Sequence, residues 1–176
     1  ATGHLPHPSF VLTRKPGQGY AASGVHSGGF GYTWGGQTVP DALSIIGTVT
    51  LAAPELAKGL VRNFLAVQRD DGWIDARPGL DGQRAQVIAP PLLATLAYAV
   101  YHFTQDKTFL ADCLDGLTRF FERWFAPDLD ADGDGVPEWQ HPDQGAFSSG
   151  PVLARGVRWA QGVDIQTLET PDLVAY

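Results

Sequence analysis

PPLLATLAYAVYHFTQDKTFLADCLDGLTRFFERWFAPD, residues 90 to 128, contains two apolar runs joined by a few polar residues. In both runs apolar residues recur every three or four positions, the spacing of an amphipathic α-helix. Asp106 occupies an N-cap position, and Pro127 marks the end of the second run. The stretch therefore predicts a helical hairpin. Its predicted buried stripes are Leu92, Leu96, Ala99 and Phe103, and then Leu110, Leu114, Leu117, Phe121 and Trp124.

The same pattern occurs upstream. TVPDALSIIGTVTLAA and APELAKGLVRNFLAVQRDDG each place a proline near a helix start, and Gly72 follows the second helix. Residues 1–37 hold nine glycines and several prolines, which predicts a looped or extended lead-in. Long connections at about 70–83 and 128–169 carry most of the Trp, Asp, Gln and His residues, as functional loops do. The sequence predicts an all-α chain of helical hairpins with long functional loops.

Composition restricts the function. A net charge of −7 and a pI near 5.0 disfavour nucleic-acid binding, because phosphate contacts need clustered Lys and Arg. No apolar run is long enough to cross a membrane, since Pro90 and Pro91 interrupt the best candidate, so we expect a soluble protein, with the cytoplasm weakly favoured. The single cysteine, Cys113, lies among apolar residues and is predicted to be buried rather than nucleophilic.

Four segments resemble, in the same order, the catalytic domain of glycoside hydrolase family 63 and its relatives, which include trehalases and mannosylglycerate hydrolases. The segments are GYTWGGQTVPDAL, ELAKGLVRNFLAVQRDDGWI, AQVIAPPLLATLAYAVYHFTQDKTFL and DLDADGDGVPEWQHP. The resemblance implies an (α/α)6 toroid, the fold of six-hairpin glycosidases, of which residues 38–176 would be the N-terminal part, incomplete at the C-terminus. The remainder of the barrel or another chain would then cover the apolar helix faces.

The resemblance also implies an inverting glycosidase that acts on α-glucosides or related α-linked sugars, with two carboxylates and no organic cofactor. In the relatives the general acid is an Asp shortly after the PEW segment. Here QGAFSSGP places Ser148 or Ser149 at that point. A serine hydroxyl is too weak an acid for this role, which leaves Glu138, Asp143 and Asp164 as candidates, with the partner base expected beyond Tyr176.

A sugar pocket needs aromatic faces, amides and carboxylates. The segment from Glu138 to Asp143 offers this chemistry, and two other loops match pocket walls of the family. The predicted contacts to an oligosaccharide or disaccharide are Tyr32, Trp34, Gln37, Asp71, Trp73, Gln86, Trp139, His141 and Ser149.

The run DLDADGDGVPEW allows a second interpretation, a calcium loop with Asp128, Asp130, Asp132 and Asp134 as ligands. An EF-hand has oxygen ligands at positions 1, 3 and 5, Gly at position 6 and Glu at position 12. Two frames fit the first part, but position 12 would be Trp139 or His141. Asx-turns, in which the Asp side chains bind the loop's own amides, are the favoured alternative.

Two other functions stay open. AVQRDDGWI is similar to the Gln-to-Trp repeat of terpene cyclases, although it occurs once and the Asp-rich acid motif of those enzymes is missing. A non-catalytic carbohydrate-binding protein would keep the pocket and lack the acid, as the serines at 148 and 149 indicate.

Overall fold

The computed structural model describes residues 5–9, 36–79, 82–83 and 88–139. These residues form four α-helices: α1 (Val39–Ala52), α2 (Pro54–Ala66), α3 (Leu93–Thr104) and α4 (Lys107–Trp124). A 3-10 turn, Pro127–Leu129, follows α4, and two antiparallel two-residue strands, β1 (Pro78–Gly79) and β2 (Gly82–Gln83), lie between the hairpins. The predicted all-α class is confirmed.

The predicted helix starts are also confirmed. The side chain of Thr38 accepts a hydrogen bond from the Asp41 amide at 3.2 Å at the start of α1. Asp106 accepts bonds from the amides of Thr108 and Phe109, both at 3.0 Å, at the start of α4. These side chains satisfy amides that have no partner inside the helix, which stabilises each helix start.

The two hairpins pack against each other, since α1 and α2 both contact α3 and α2 also contacts α4. One residue joins α1 to α2 and two residues join α3 to α4, so each pair is antiparallel. Lys58, near the start of α2, is 2.8 Å from Asp106, at the start of α4, and this ion pair ties the two turns together. The start of α1, the end of α2, the start of α3 and the end of α4 therefore lie at the opposite end, which we call the long-loop end. Helical hairpins packed in this way are the repeating unit of the (α/α)6 toroid that the sequence resemblance implies.

The buried face of α4 agrees with the predicted one at Leu117 and Trp124 and differs elsewhere. Phe109, Cys113 and Phe120 face the core, whereas Leu114 and Phe121 are 60% and 61% exposed. On α3 Leu92 and Leu96 are buried as predicted, and Leu93, Ala97 and Val100 are buried as well, whereas Phe103 is 48% exposed. Both helices carry apolar residues on more than one face, so the spacing alone did not select the face that packs.

Cys113 is buried, as predicted, and burial raises the pKa of its thiol to about 11. The thiolate that a nucleophile needs is therefore suppressed at neutral pH. Within the described ranges, no helix combines the length and apolarity of a membrane span.

Candidate functional site

Three described segments meet at the long-loop end. The Gln37 amide, just before α1, donates a hydrogen bond of 2.7 Å to the Pro78 carbonyl, so the start of α1 contacts the connection that follows α2. That connection reaches α4, because the carbonyl of Arg119 lies so close to Gly72 that a side chain would have no room there. The φ of 87° at Gly72 is a second reason for glycine. These contacts bring the start of α1, the connection after α2 and α4 together.

Arg123, near the end of α4, organises this region. Its guanidinium forms a two-pronged ion pair with Asp128 at 2.7 and 2.5 Å, and its Nε lies 3.7 Å from Asp71. The hydrogen bonds from Arg123 hold the pKa of Asp128 below its usual range, and the same bonds raise the pKa of Arg123. Asp128 is thus an ion-pair partner of α4, which corrects its prediction as a metal ligand.

Trp73 lies next to this ion pair and is 7% exposed. The guanidinium carbons of Arg69 and Arg123 lie 5.2 and 5.3 Å from the centre of its ring. Cation–π contacts of this kind hold the ring in place, and they occupy the surface that a sugar would use. Asp71, which accepts a bond from the Trp73 amide, keeps a side chain that is 57% exposed. Of these two predicted contacts, Asp71 is the one whose side chain is exposed.

Gln37 belongs to a buried amide network. Its Nε2 donates to the Leu60 carbonyl at 2.6 Å, and its Oε1 accepts from Ser9 at 2.9 Å and from Asn63 at 3.2 Å. Asn63 in turn exchanges two hydrogen bonds with the backbone of His7. The residue is fully buried, so its polar atoms hold the segment 5–9 against α2. This corrects its prediction as a substrate contact.

Trp139 is also fully buried. Its ring meets the ring of Trp124 edge to face, with centroids 5.9 Å apart, and the indole nitrogen of Trp124 donates to the Ala89 carbonyl at 3.1 Å. Edge-to-face pairs are a favoured packing arrangement of aromatic rings. Trp124 was predicted to be core, and the structure adds Trp139 to the core, which corrects its prediction as a sugar platform.

Residues 130–136 form the predicted Asx-turns. The carboxylate of Asp130 accepts hydrogen bonds from the amides of Gly133, Asp134 and Gly135 at 2.8, 3.1 and 3.0 Å. Gly133 and Gly135 have φ angles of 78° and 91°, which glycine adopts without strain. Asp134 accepts from the Val136 amide at 2.7 Å. We call residues 130–138 the acidic loop.

Glu138 closes the acidic loop. Its amide donates to the Leu129 carbonyl at 2.8 Å, and its Oε2 accepts from the Ala131 amide at 2.8 Å. The side chain is 3% exposed, and its Oε1 is buried with no hydrogen-bond partner in the described part of the chain. Oxygens of Asp130, Asp132 and Glu138 lie within 4.8 Å of one another. The Glu138 carboxylate is thus bonded within the loop, which argues against its predicted role as general acid.

The remaining predicted site residues lie outside the described residues. They are Tyr32, Trp34, Gln86, His141, Asp143, Ser149 and Asp164. The sequence interpretation missed Arg123 as the residue that joins three segments. Its position five residues before Asp128 was the available signal, because the turn after α4 brings the two side chains together.

Residues 36–168, about three quarters of the chain, match the family model of the mannosylglycerate hydrolase MGH1-like glycoside hydrolase domain. The chain belongs to this family. The match to this glycoside hydrolase domain includes the acidic loop and AVQRDDGWI, the segment whose similarity to terpene cyclases had suggested that alternative function. No individually curated protein matches the chain. Family membership confirms the resemblance found in the sequence and identifies a glycoside hydrolase domain.

Proposed function

We propose that this glycoside hydrolase domain acts on α-glucosides or related α-linked oligosaccharides and inverts the anomeric configuration. The observation that carries the proposal is the family match over residues 36–168, which spans both long connections. The structure supports it because the described parts of these connections contact one another at one end of the hairpins. Sugar pockets of helical toroids are built from such loops.

The proposed chemistry needs two carboxylates. Inversion requires a protonated carboxyl at the leaving oxygen and a carboxylate that activates water, about 6.5 to 9.5 Å apart. Glu138 is held inside the acidic loop by the Ala131 amide, so Asp143 and Asp164 are the proposed acids. Asp143 follows Glu138 by five residues in the sequence.

The proposed substrate contacts come from several loops. Asp71 offers one carboxylate oxygen beside Arg123, and its side chain is more than half exposed. Around it we place the predicted pocket residues of the other loops: Tyr32, Trp34, Gln86, His141 and Ser149. A disaccharide or short oligosaccharide would lie across aromatic rings and be gripped by these polar groups.

A hydrolysis assay tests the proposal. The purified protein is incubated with α-linked glucosides, trehalose and mannosylglycerate, and the anomer first released is followed by NMR. Asp143→Asn or Asp164→Asn should lower kcat by about 10²- to 10⁴-fold, the usual contribution of a general acid. Asp112→Asn, the same change at an exposed position of α4, is the matched control. Release of the retained anomer would contradict inversion, and full activity in both variants would clear these residues.

A non-catalytic carbohydrate-binding protein is the second candidate, favoured by the serines at 148 and 149. It predicts that the protein binds members of the same sugar panel in calorimetry and hydrolyses none of them. Hydrolysis of any panel member that Asp143→Asn or Asp164→Asn abolishes would exclude it.

We also propose that a further helical hairpin of the toroid covers the free face of α4. Leu114 and Phe121 on this face are 60% and 61% exposed, and Phe125, just after the helix, is 52% exposed and pairs with Phe121 at 5.0 Å. Faces of this kind are normally covered by other structure. Phe121→Ser should lower the melting temperature if the face is covered. An unchanged or higher melting temperature would show that water covers it.

A further inference from the structure

We propose that the acidic loop binds one Ca²⁺ ion through Asp130, Asp132 and Glu138. This set differs from the one expected from spacing alone, because Asp128 is paired with Arg123 and Glu138 takes its place. The proposal does not depend on hydrolytic activity.

The orphaned oxygen of Glu138 is the first argument. A buried carboxylate oxygen without a partner is costly, and native structures rarely leave one unexplained. Glu138 Oε1 is such an atom in the described part of the chain, while Oε2 of the same group is bonded to the Ala131 amide. A cation that binds Oε1 would satisfy it.

Charge is the second argument. Asp130, Asp132 and Glu138 bring three carboxylates together, and within the described ranges no Lys or Arg forms an ion pair with them. The loop amides stabilise Asp130 and Asp132 in part. Like charges at this separation repel one another, so a bound cation would remove an unfavourable interaction as well as add a favourable one.

Geometry indicates the kind of cation. The ligand oxygens lie within 4.8 Å of one another, a spacing from which small side-chain movements bring all three to a Ca–O distance of roughly 2.4 Å. In the frame that starts at Asp130, Asp132 is at position 3, Val136 at position 7 and Glu138 at position 9, and position 7 of an EF-hand supplies a backbone carbonyl. A flexible, all-oxygen site of this kind suits Ca²⁺ better than Mg²⁺, which needs a regular octahedron.

The ion would fix the polypeptide that leaves α4. The Glu138 amide and the Leu129 carbonyl already close the ends of the loop, and Trp139 is buried against Trp124 directly afterwards. An ion held by residues at both ends of the loop would prevent it from opening. It would thereby set the starting point of the segment that carries Asp143.

Calorimetry and thermal melting on protein stripped with EGTA test the site. Wild type should bind one Ca²⁺ per chain and melt at a higher temperature with CaCl₂ than with NaCl of equal ionic strength. Asp132→Asn keeps an oxygen for the Asp134 amide and should still fold, but it should weaken Ca²⁺ binding by about tenfold or more, because affinity follows the charge of the ligands. Glu138→Gln should weaken binding similarly.

Asp128→Asn is the matched control, since it removes a carboxylate of the same run that the structure places outside the site. It should lower the melting temperature in EGTA and leave Ca²⁺ affinity unchanged. Three results would overturn the proposal: no saturable binding to wild type, equal binding in the Asp132 and Glu138 variants, or an affinity for Mg²⁺ that equals the affinity for Ca²⁺.

Discussion

Replacing Gln37 by leucine separates a structural role from a role in sugar binding. The side chain is fully buried and makes three hydrogen bonds, to the Leu60 carbonyl, the Ser9 hydroxyl and the Asn63 amide. Leucine is similar in size and can make none of them. We expect Gln37→Leu to destabilise the fold and to leave the affinity of the folded protein for sugar unchanged.

The magnitude follows from the network. Three lost hydrogen bonds at about 0.5–1.5 kcal/mol each give a gross cost of roughly 3 kcal/mol. The Leu60 carbonyl lies within α2 and keeps its helical partner, and the Asn63 amide keeps the His7 carbonyl, so neither group is stranded. The added apolar burial offsets about 1 kcal/mol. A net loss of about 2 kcal/mol lowers the melting temperature by about 4–8 °C in a protein of this size.

The assay is thermal melting together with titration of the sugar identified in the hydrolysis panel. Thr50→Val is the matched control, because Thr50 is 3% exposed and its hydroxyl bonds to the Ile46 carbonyl of its own helix, at 2.6 Å. It should cost less than about 1 kcal/mol. A Gln37→Leu protein with an unchanged melting temperature and weakened sugar binding would refute the structural assignment.

Two other predictions test the packing of the hairpins. Gly72→Ala should destabilise the protein by clearly more than Gly133→Ala, because the new methyl group meets the α4 backbone at Gly72 and open space at Gly133. The positive φ costs both variants about 1–2 kcal/mol. Equal melting temperatures of the two variants would contradict the close approach at Gly72. Lys58→Met tests the ion pair between the turns. Hydrogen bonds to Asp106 and Glu55 raise the pKa of Lys58, and the bond from Lys58 lowers the pKa of Asp106. The wild type should therefore lose stability as the pH falls through the depressed pKa of Asp106, and again as the pH rises beyond the ordinary range of lysine. In Lys58→Met the free energy of unfolding, measured with urea, should depend less on pH at both ends.

The helices and turns could be predicted because their determinants are local. Thr38 and Asp106 cap helices through amides two or three residues away, and the glycines of the acidic loop adopt positive φ within a few residues of the aspartates they serve. Interactions over such short separations are visible in the order of the residues. The family resemblance also depended on ordered motifs, and the family match confirmed it.

Tertiary structure decided which of several chemically equivalent arrangements exists. Either apolar face of α4 could have been buried, and the packing of α2 and α3 selected the one with Phe109 and Phe120. The amide of Gln37 suits a sugar hydroxyl as well as a helix carbonyl, and only its distance from Leu60 distinguishes the two. Asp128 lies outside the acidic cluster because it is paired with Arg123, and Glu138 belongs to the cluster because it bonds to the Ala131 amide across the loop. Burial and pairing depend on residues distant in the chain, so they follow from the fold rather than from local spacing.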